Sequence, residues 1–193
     1  MKVLFATTNP AKVKKYKKAL EEKGIELLTI EDIEKQIKID ENGENAVENA
    51  IIKAQSYYQI THIPTIGMDN NLYIEELSSK EQPGTHVKRI HGKELNDEEM
   101  IAYYTDLIKK YGGRVNGKWV YGMAICNKGE IYTTSWSKEN FYLVDKPCKE
   151  RNPGYPLDSI SVMPKYNKYW LELTEEEKQE NKKQDNVEEI VQF

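Results

Sequence analysis

Short apolar runs alternate along this chain with longer stretches in which apolar side chains recur every three or four positions. That is the pattern of strands alternating with amphipathic helices. Lys2–Ala6 reads as a strand. It is followed by Asn9 as a helix cap, Pro10 at the first helical position, and Val13, Tyr16 and Leu20 on one buried side. Residues 26–30 read as a second strand and 37–39 as a short third, and 40–43 form a turn into a central helix. In that helix Ala46, Ala50 and Ala54 make a stripe of small residues that lets another element approach closely. Residues 64–68 predict a strand delivering Asp69 to its C-terminal end. Asn70 and Asn71 are expected to turn the chain into a further strand over 72–77. Asn96 with Glu99 is a capping box, opening a helix with Met100, Tyr104, Leu107 and Tyr111 on its apolar side and Gly112-Gly113 at its end. Residues 119–126 and 130–136 read as a hairpin turning through Asn127-Lys128-Gly129, with 140–144 as another strand. A long loop rich in Pro, Gly and Tyr covers 147–164. Thr174 with Glu177 then caps a last, charged helix running to about Ile190.

Composition narrows the class. The chain has 193 residues, 38% hydrophobic and 31% charged, enough for a sizeable core in one domain or a two-lobed one. A net charge of −4 argues against general nucleic-acid or anionic-membrane binding. No apolar run approaches the roughly 18 residues of a membrane span, and Met1-Lys2 leads straight into a strand, so the cytoplasm is the expected compartment. Cys126 and Cys148 have no metal-type spacing, and neither His62 nor His91 has a partner at ligand spacing.

Chemistry concentrates between Gly43 and Leu72. Glu44 and Glu48 stand one helical turn apart, and Asn49 and Lys53 repeat that spacing further round the helix. Either the two glutamates favour the positive end of the helix dipole, or they converge with Asp69 and Lys53 on a hard cation, Mg²⁺ or Mn²⁺, that holds a polyphosphate. At the beginning of the chain, the strand, the polar Thr7-Thr8-Asn9 turn and the helix start form an anion site with Lys12 nearby, though without the Gly-rich run of a Walker loop. The same residues suit an ordinary capped helix with a solvated lysine face. His86, Lys88 and Arg89 lie on a loop and suit either phosphate or solvent.

These segments together resemble the inosine triphosphate pyrophosphatase family, also called the Ham1 family. Its T-x-N-x-x-K signature is here Thr7 to Lys12, and its E-N-A-x-x-K-A helix is Glu48 to Ala54. D-D-S-G-L corresponds to Met68-Asp69-Asn70-Asn71-Leu72, and P-G-x-x-x-x-R to Pro83 through Arg89. The G-Y-D-P turn looks like Gly154-Tyr155 followed by Asp158, and A-E-L-x-x-E-E-K like Leu171 through Lys178. The resemblance runs in order over nearly the whole chain.

It implies an elongated α/β fold, with a long mixed β-sheet flanked by helices, in a single two-lobed domain over 1–193 whose active-site cleft lies between the lobes. It implies Mg²⁺-dependent hydrolysis of a nucleoside triphosphate to monophosphate and pyrophosphate, on ITP, dITP or XTP, with a homodimer as the usual assembly. By that similarity Thr8, Asn9, Lys12 and Lys53 hold phosphate oxygens, together with Thr7 and Asn70. Glu48 and Asp69, with Glu44, hold the metal, and Asp69 orients or deprotonates the attacking water. Gly154, Tyr155, Asp158 and Lys178 read the base, with Arg89, Lys182 and Lys183 as further contacts. The chain departs from the family at Met68, where a first Asp is usual, at Pro153 in place of a stacking aromatic, and at Pro156-Leu157, an apparent insertion. Lys182-Lys183-Gln184 stands where the family has Ser-His-Arg. Those departures keep two alternatives in view: the same chemistry on another base, and a non-catalytic nucleotide-binding regulator.

Overall fold

The computed structural model describes residues 1–182, with side chains described through 181. Its elements run β1 (Lys2–Ala6), α1 (Pro10–Glu21), β2 (Glu26–Thr29), α2 (Ala46–Thr61), β3 (Thr65–Ile74), β4 (Arg89–Ile90), β5 (Lys93–Glu94) and α3 (Asp97–Lys110). They continue as β6 (Arg114–Asn127), β7 (Glu130–Val144), β8 (Ser161–Met163), β9 (Lys168–Tyr169) and α4 (Glu175–Lys182), with short 3₁₀ turns at Pro156–Ser159 and Trp170–Glu172. One mixed sheet has the strand order β2-β1-β3-β6-β7-β8-β9, and β4 pairs with β5 apart from it. β1 is parallel to both β2 and β3, whereas β7, β8 and β9 are antiparallel neighbours.

The chain divides into two compact units. The first comprises Met1–Asn71 with Val120–Trp136, and the second begins as Leu72–Trp119 and resumes at Ser137. In the first unit, strand alternation sorts the core onto two faces. Val3, Phe5, Ile66, Met68 and Met123 meet Tyr16 and Leu20 of α1. On the opposite face Leu4 and Ala6 meet Tyr57 of α2, and Ala50 and Ala54 meet Ala124 and Cys126. The alanine stripe of α2 therefore lies directly on the sheet. A Cβ added at Gly67 would fall 2.0 Å from the Ala50 carbonyl oxygen, and one at Gly122 2.4 Å from the Ala46 carbonyl carbon. Only glycine on the strand and alanine on the helix permit this approach. The second unit has its own core, in which Met100, Tyr104 and Ile108 of α3 pack with Leu72, Ile74, Val115, Phe141 and Leu143.

Three sequence expectations are corrected here. Asn70 and Asn71 do not turn the chain; β3 runs unbroken from Thr65 to Ile74, so the separate strand over 72–77 does not exist. β1 ends opposite Gly67, so the sheet neighbour left to β3 beyond that point is β6, and pairing there outweighs the turn preference of two consecutive asparagines. The hairpin is likewise longer than expected, because β7 continues without interruption to Val144. Residues 37–39 form no strand: Ile37 and Ile39 pack against the α2 side of the core, and the Tyr57 hydroxyl donates to the Ile37 carbonyl at 3.4 Å. The expected extension of the last helix to Ile190 lies outside the described residues. No described helix is long and apolar enough to cross a membrane.

Candidate active site

Register explains why Asp69 is available for chemistry. β1 pairs with β3 as far as Ala6 opposite Gly67, and there β1 ends. Asp69 therefore stands just past the C-terminal edge of the parallel strand pair, on the α2 face, where α/β sheets leave room for ligands. The chain leaving β1 at that level is Thr7-Thr8-Asn9. The Thr7 hydroxyl accepts the Asn9 amide at 3.1 Å, and Asn9 Oδ1 accepts the Ala11 amide at 2.9 Å, capping α1. Thr8 is exposed beside this turn.

Both oxygens of Asp69 are held by α2. Asn49 Nδ2 donates to Oδ2 at 3.1 Å, and Lys53 Nζ lies 3.0 Å from Oδ1. Asn49 is itself fixed, since its Oδ1 accepts the Gly43 amide at 2.9 Å and the residue is 1% exposed. Lys53 Nζ also lies 2.9 Å from Glu41 Oε2, and its side chain is only 12% exposed. Burial alone would lower the Lys53 pKa, yet the neighbouring Asp69 and Glu41 carboxylates carry it above the ordinary lysine value. Lys12 behaves oppositely: burial first, then the Lys53 charge, lower it to about 8 against the pull of Asp69 and Glu41. One compact cluster thus contains Lys12, Glu41, Asn49, Lys53 and Asp69.

Glu41 was not among the residues expected from sequence. It sits in an irregular segment with no periodicity, and the sequence marks it only as part of the turn expected before α2. For Glu44 and Glu48 the expected shared helical face is corrected. Glu44 precedes the helix, whose cap is Asn45, so the two do not share a helical face. Glu48 Oε2 accepts the Glu44 amide at 2.8 Å and Oε1 accepts Asn45 Nδ2 at 2.8 Å, while the Glu48 amide donates to Asn45 Oδ1 at 3.0 Å. This is a cap that satisfies free helix amides, and it draws the exposed Glu48 carboxylate to the helix start. The carboxylate that joins Asp69 across Lys53 is that of Glu41. Strand alternation places Asn70 on the α1 face, the face of Lys12's helix, with its Oδ1 buried and without a partner among the described residues. Met68 is 3% exposed and packs in the α1-side core, so the missing family Asp is replaced here by a core side chain.

The residues expected to read a base lie in the second unit. Gly154, at φ 82°, donates its amide to Asp97 Oδ2 at 2.9 Å. Asp158 Oδ2 accepts Asn152 Nδ2 at 2.7 Å. The Tyr155 hydroxyl is pushed up to about 12, by burial first and then by the Asp158 charge. Lys178 pairs with Glu175 at 3.1 Å, and Arg89 is exposed on β4. The side chain of Lys182, and the whole of Lys183, lie outside the described residues. Cys148 comes within 4.8 Å of the Glu150 and Glu172 carboxylates, but burial raises its thiol pKa, which suits a core residue better than a nucleophile.

The residues of the first unit suit a divalent cation: two carboxylates, from Glu41 and Asp69, approach one point, and hard oxygen donors are what Mg²⁺ or Mn²⁺ take. The family model for the Ham1 family matches residues 3–187. The chain belongs to the Ham1 family. A relative from Leptospira interrogans, named a dITP/XTP pyrophosphatase, is 31% identical over 175 residues, covering 90% of this chain and 86% of its own. A protein of the same name from Aquifex aeolicus is 30% identical over 189 residues, covering 92% and 88%. Among solved structures, a HAM1 protein from Coxiella burnetii matches with a TM-score of 0.77 at 23% identity, covering 100% of this chain and 97% of that one. The expected α/β architecture with its mixed sheet is thereby shown.

Proposed function

We propose that this chain is a nucleoside triphosphate pyrophosphatase that uses a divalent cation, Mg²⁺ in the cell, to cleave triphosphates to a monophosphate and pyrophosphate. Its substrates in this reading are deaminated purine nucleotides of the ITP, dITP and XTP type. The dITP/XTP pyrophosphatase names of its relatives support the reaction. The observation that carries the reading is the Asp69 carboxylate, fixed through both oxygens beside two lysines and a second carboxylate. A cation bound by Glu41 and Asp69 would supply neutralisation of phosphate charge.

The chain's own residues supply the rest. Lys12 and Lys53 offer positive charge to phosphate oxygens, and the amides of the capped α1 turn lie beside Lys12. Asn49 holds Asp69 in one orientation, so that a water beside its free lone pairs is aligned and gives up its proton as it attacks phosphorus. Phosphoryl chemistry asks mainly for this placement and neutralisation. The base-reading share falls to Gly154, Tyr155, Asp158 and Lys178. A homodimer and a cytoplasmic location complete the proposal.

A second reading, the same chemistry on another base, is favoured by Lys182-Lys183-Gln184 in place of Ser-His-Arg. One panel separates them. Triphosphates are offered with Mg²⁺ and pyrophosphate is measured. Release from ITP and XTP well above ATP and GTP supports the first reading, and the reverse preference supports the second. Loss of turnover in Asp69→Asn with nucleotide binding kept supports the catalytic role, and full activity in that variant refutes it.

A further inference from the structure

Lys53 occupies the position between the two carboxylates that the proposed site offers to a cation. Its Nζ lies 2.9 Å from Glu41 and 3.0 Å from Asp69, with the Met68 carbonyl at 3.4 Å. Metal–oxygen bonds of ~2.1 Å draw two carboxylates closer together than hydrogen bonds to an ammonium do. A divalent ion and this ammonium therefore cannot share both oxygens.

We infer that Lys53 is an internal stand-in for the cation, released from Glu41 and Asp69 only when the cation enters, and that this exchange couples cation binding to triphosphate binding. The inference rests on the reading of Glu41 and Asp69 as the cation ligands. In the free protein the two carboxylates and the Lys53 and Lys12 ammoniums balance one another in charge. A cation arriving alone expels Lys53 from its acidic partners and leaves a side chain that is 12% exposed with an unpaired charge. Lys12 makes this worse, since the two ammoniums already repel. A triphosphate arriving alone meets the carboxylates without a cation to screen them. Arriving together, the cation takes the carboxylates and the phosphates take both lysines. Each ligand then strengthens the other by the same factor.

The test is titration of metal-free protein with Mn²⁺, followed by electron paramagnetic resonance of the unbound ion, at pH 8 so that the carboxylates stay ionised. Lys53→Met and Lys53→Gln should bind Mn²⁺ alone about five- to tenfold more tightly than the parent, in the range usual for coupled sites. Lys53→Arg, which keeps the charge, should not gain affinity. The melting temperature of each variant with and without Mn²⁺ gives a second readout, and the Met and Gln variants should gain more from Mn²⁺ than the parent does. Equal or weaker Mn²⁺ binding in both neutral variants, with Glu41→Gln still abolishing it, overturns the exchange and leaves the cation site standing. Mn²⁺ binding that survives both Glu41→Gln and Asp69→Asn removes the cation site itself, and the exchange with it.

Discussion

Replacing Lys12 by methionine should make the ligand-free protein more stable while crippling it as an enzyme. Lys12 titrates near 8 in the folded chain against 10.5 for an ordinary lysine, chiefly because it is buried and secondly because Lys53 repels it. Between those two values the unfolded chain binds more protons than the folded one, so this residue makes stability rise with pH across that window. Below pH 8 its destabilising contribution is present in full. The shift corresponds to roughly 3–4 kcal/mol at ~1.4 kcal/mol per unit. A half-buried side chain relaxes and stays partly hydrated, so about 1–2 kcal/mol is the expected gain for Lys12→Met at pH 7. The assay is urea unfolding of both proteins from pH 7 to 10.5. The variant should lead at neutral pH, and its lead should close as the pH rises. Pyrophosphate release should meanwhile fall by on the order of a hundredfold, as when one donor to a developing charge is lost. In the parent, triphosphate binding should take up a proton near pH 8, visible by calorimetry in buffers of different ionisation heat. A variant less stable than the parent at pH 7 would refute the reasoning, because the ammonium would then be a stabilising partner of Asp69 and Glu41.

Further outcomes follow from other contacts. Glu41→Gln should abolish Mg²⁺-supported turnover, whereas Glu48→Gln should leave turnover intact and lower stability by only about 0.5–1 kcal/mol through its helix cap, measured by pyrophosphate release and urea unfolding. Gly67→Ala should destabilise by about 3 kcal/mol or more, read as a fall in melting temperature, because its Cβ would meet the Ala50 carbonyl at 2.0 Å. Asn49→Ala should cost about 1–3 kcal/mol in unfolding free energy, since the Gly43 amide and one Asp69 oxygen lose a buried partner. It should also lower kcat more than it raises KM.

Local rules made much of this fold legible. The α1 cap at Asn9-Pro10, the capping boxes at Asn96/Glu99 and Thr174/Glu177, and the alanine stripe of α2 are each written within a few residues. What failed needed information from distant partners. Asn70-Asn71 reads as a turn until β3 is seen to continue past the end of β1 beside β6. Glu44 and Glu48 read as sharing a helical face until Asn45 is seen to cap the helix between them. Glu41 has no local signal at all, since its partner Lys53 lies a loop and about two helical turns away. The lysine-rich face of α1 hid Lys12 for a related reason: Lys14, Lys15, Lys17 and Lys18 are exposed and only Lys12 is drawn towards Asp69 and Lys53.

The cluster's strain and its stability have the same origin. Against the effect of burial, Asp69 and Glu41 lift the pKa of Lys53, while burial first and then the Lys53 charge lower that of Lys12. Removing any one of these charges changes the field on the others, so their effects on stability cannot add. A double-mutant cycle between Lys12→Met and Asp69→Asn expresses this directly. Each single change alters the charge balance by one unit in opposite directions, and the double change restores it. The double variant should therefore differ in stability from the sum of the singles by about 1–3 kcal/mol. Additivity would mean that Lys12 and Asp69 do not sense one another, and the common electrostatic origin of the site would fail with it.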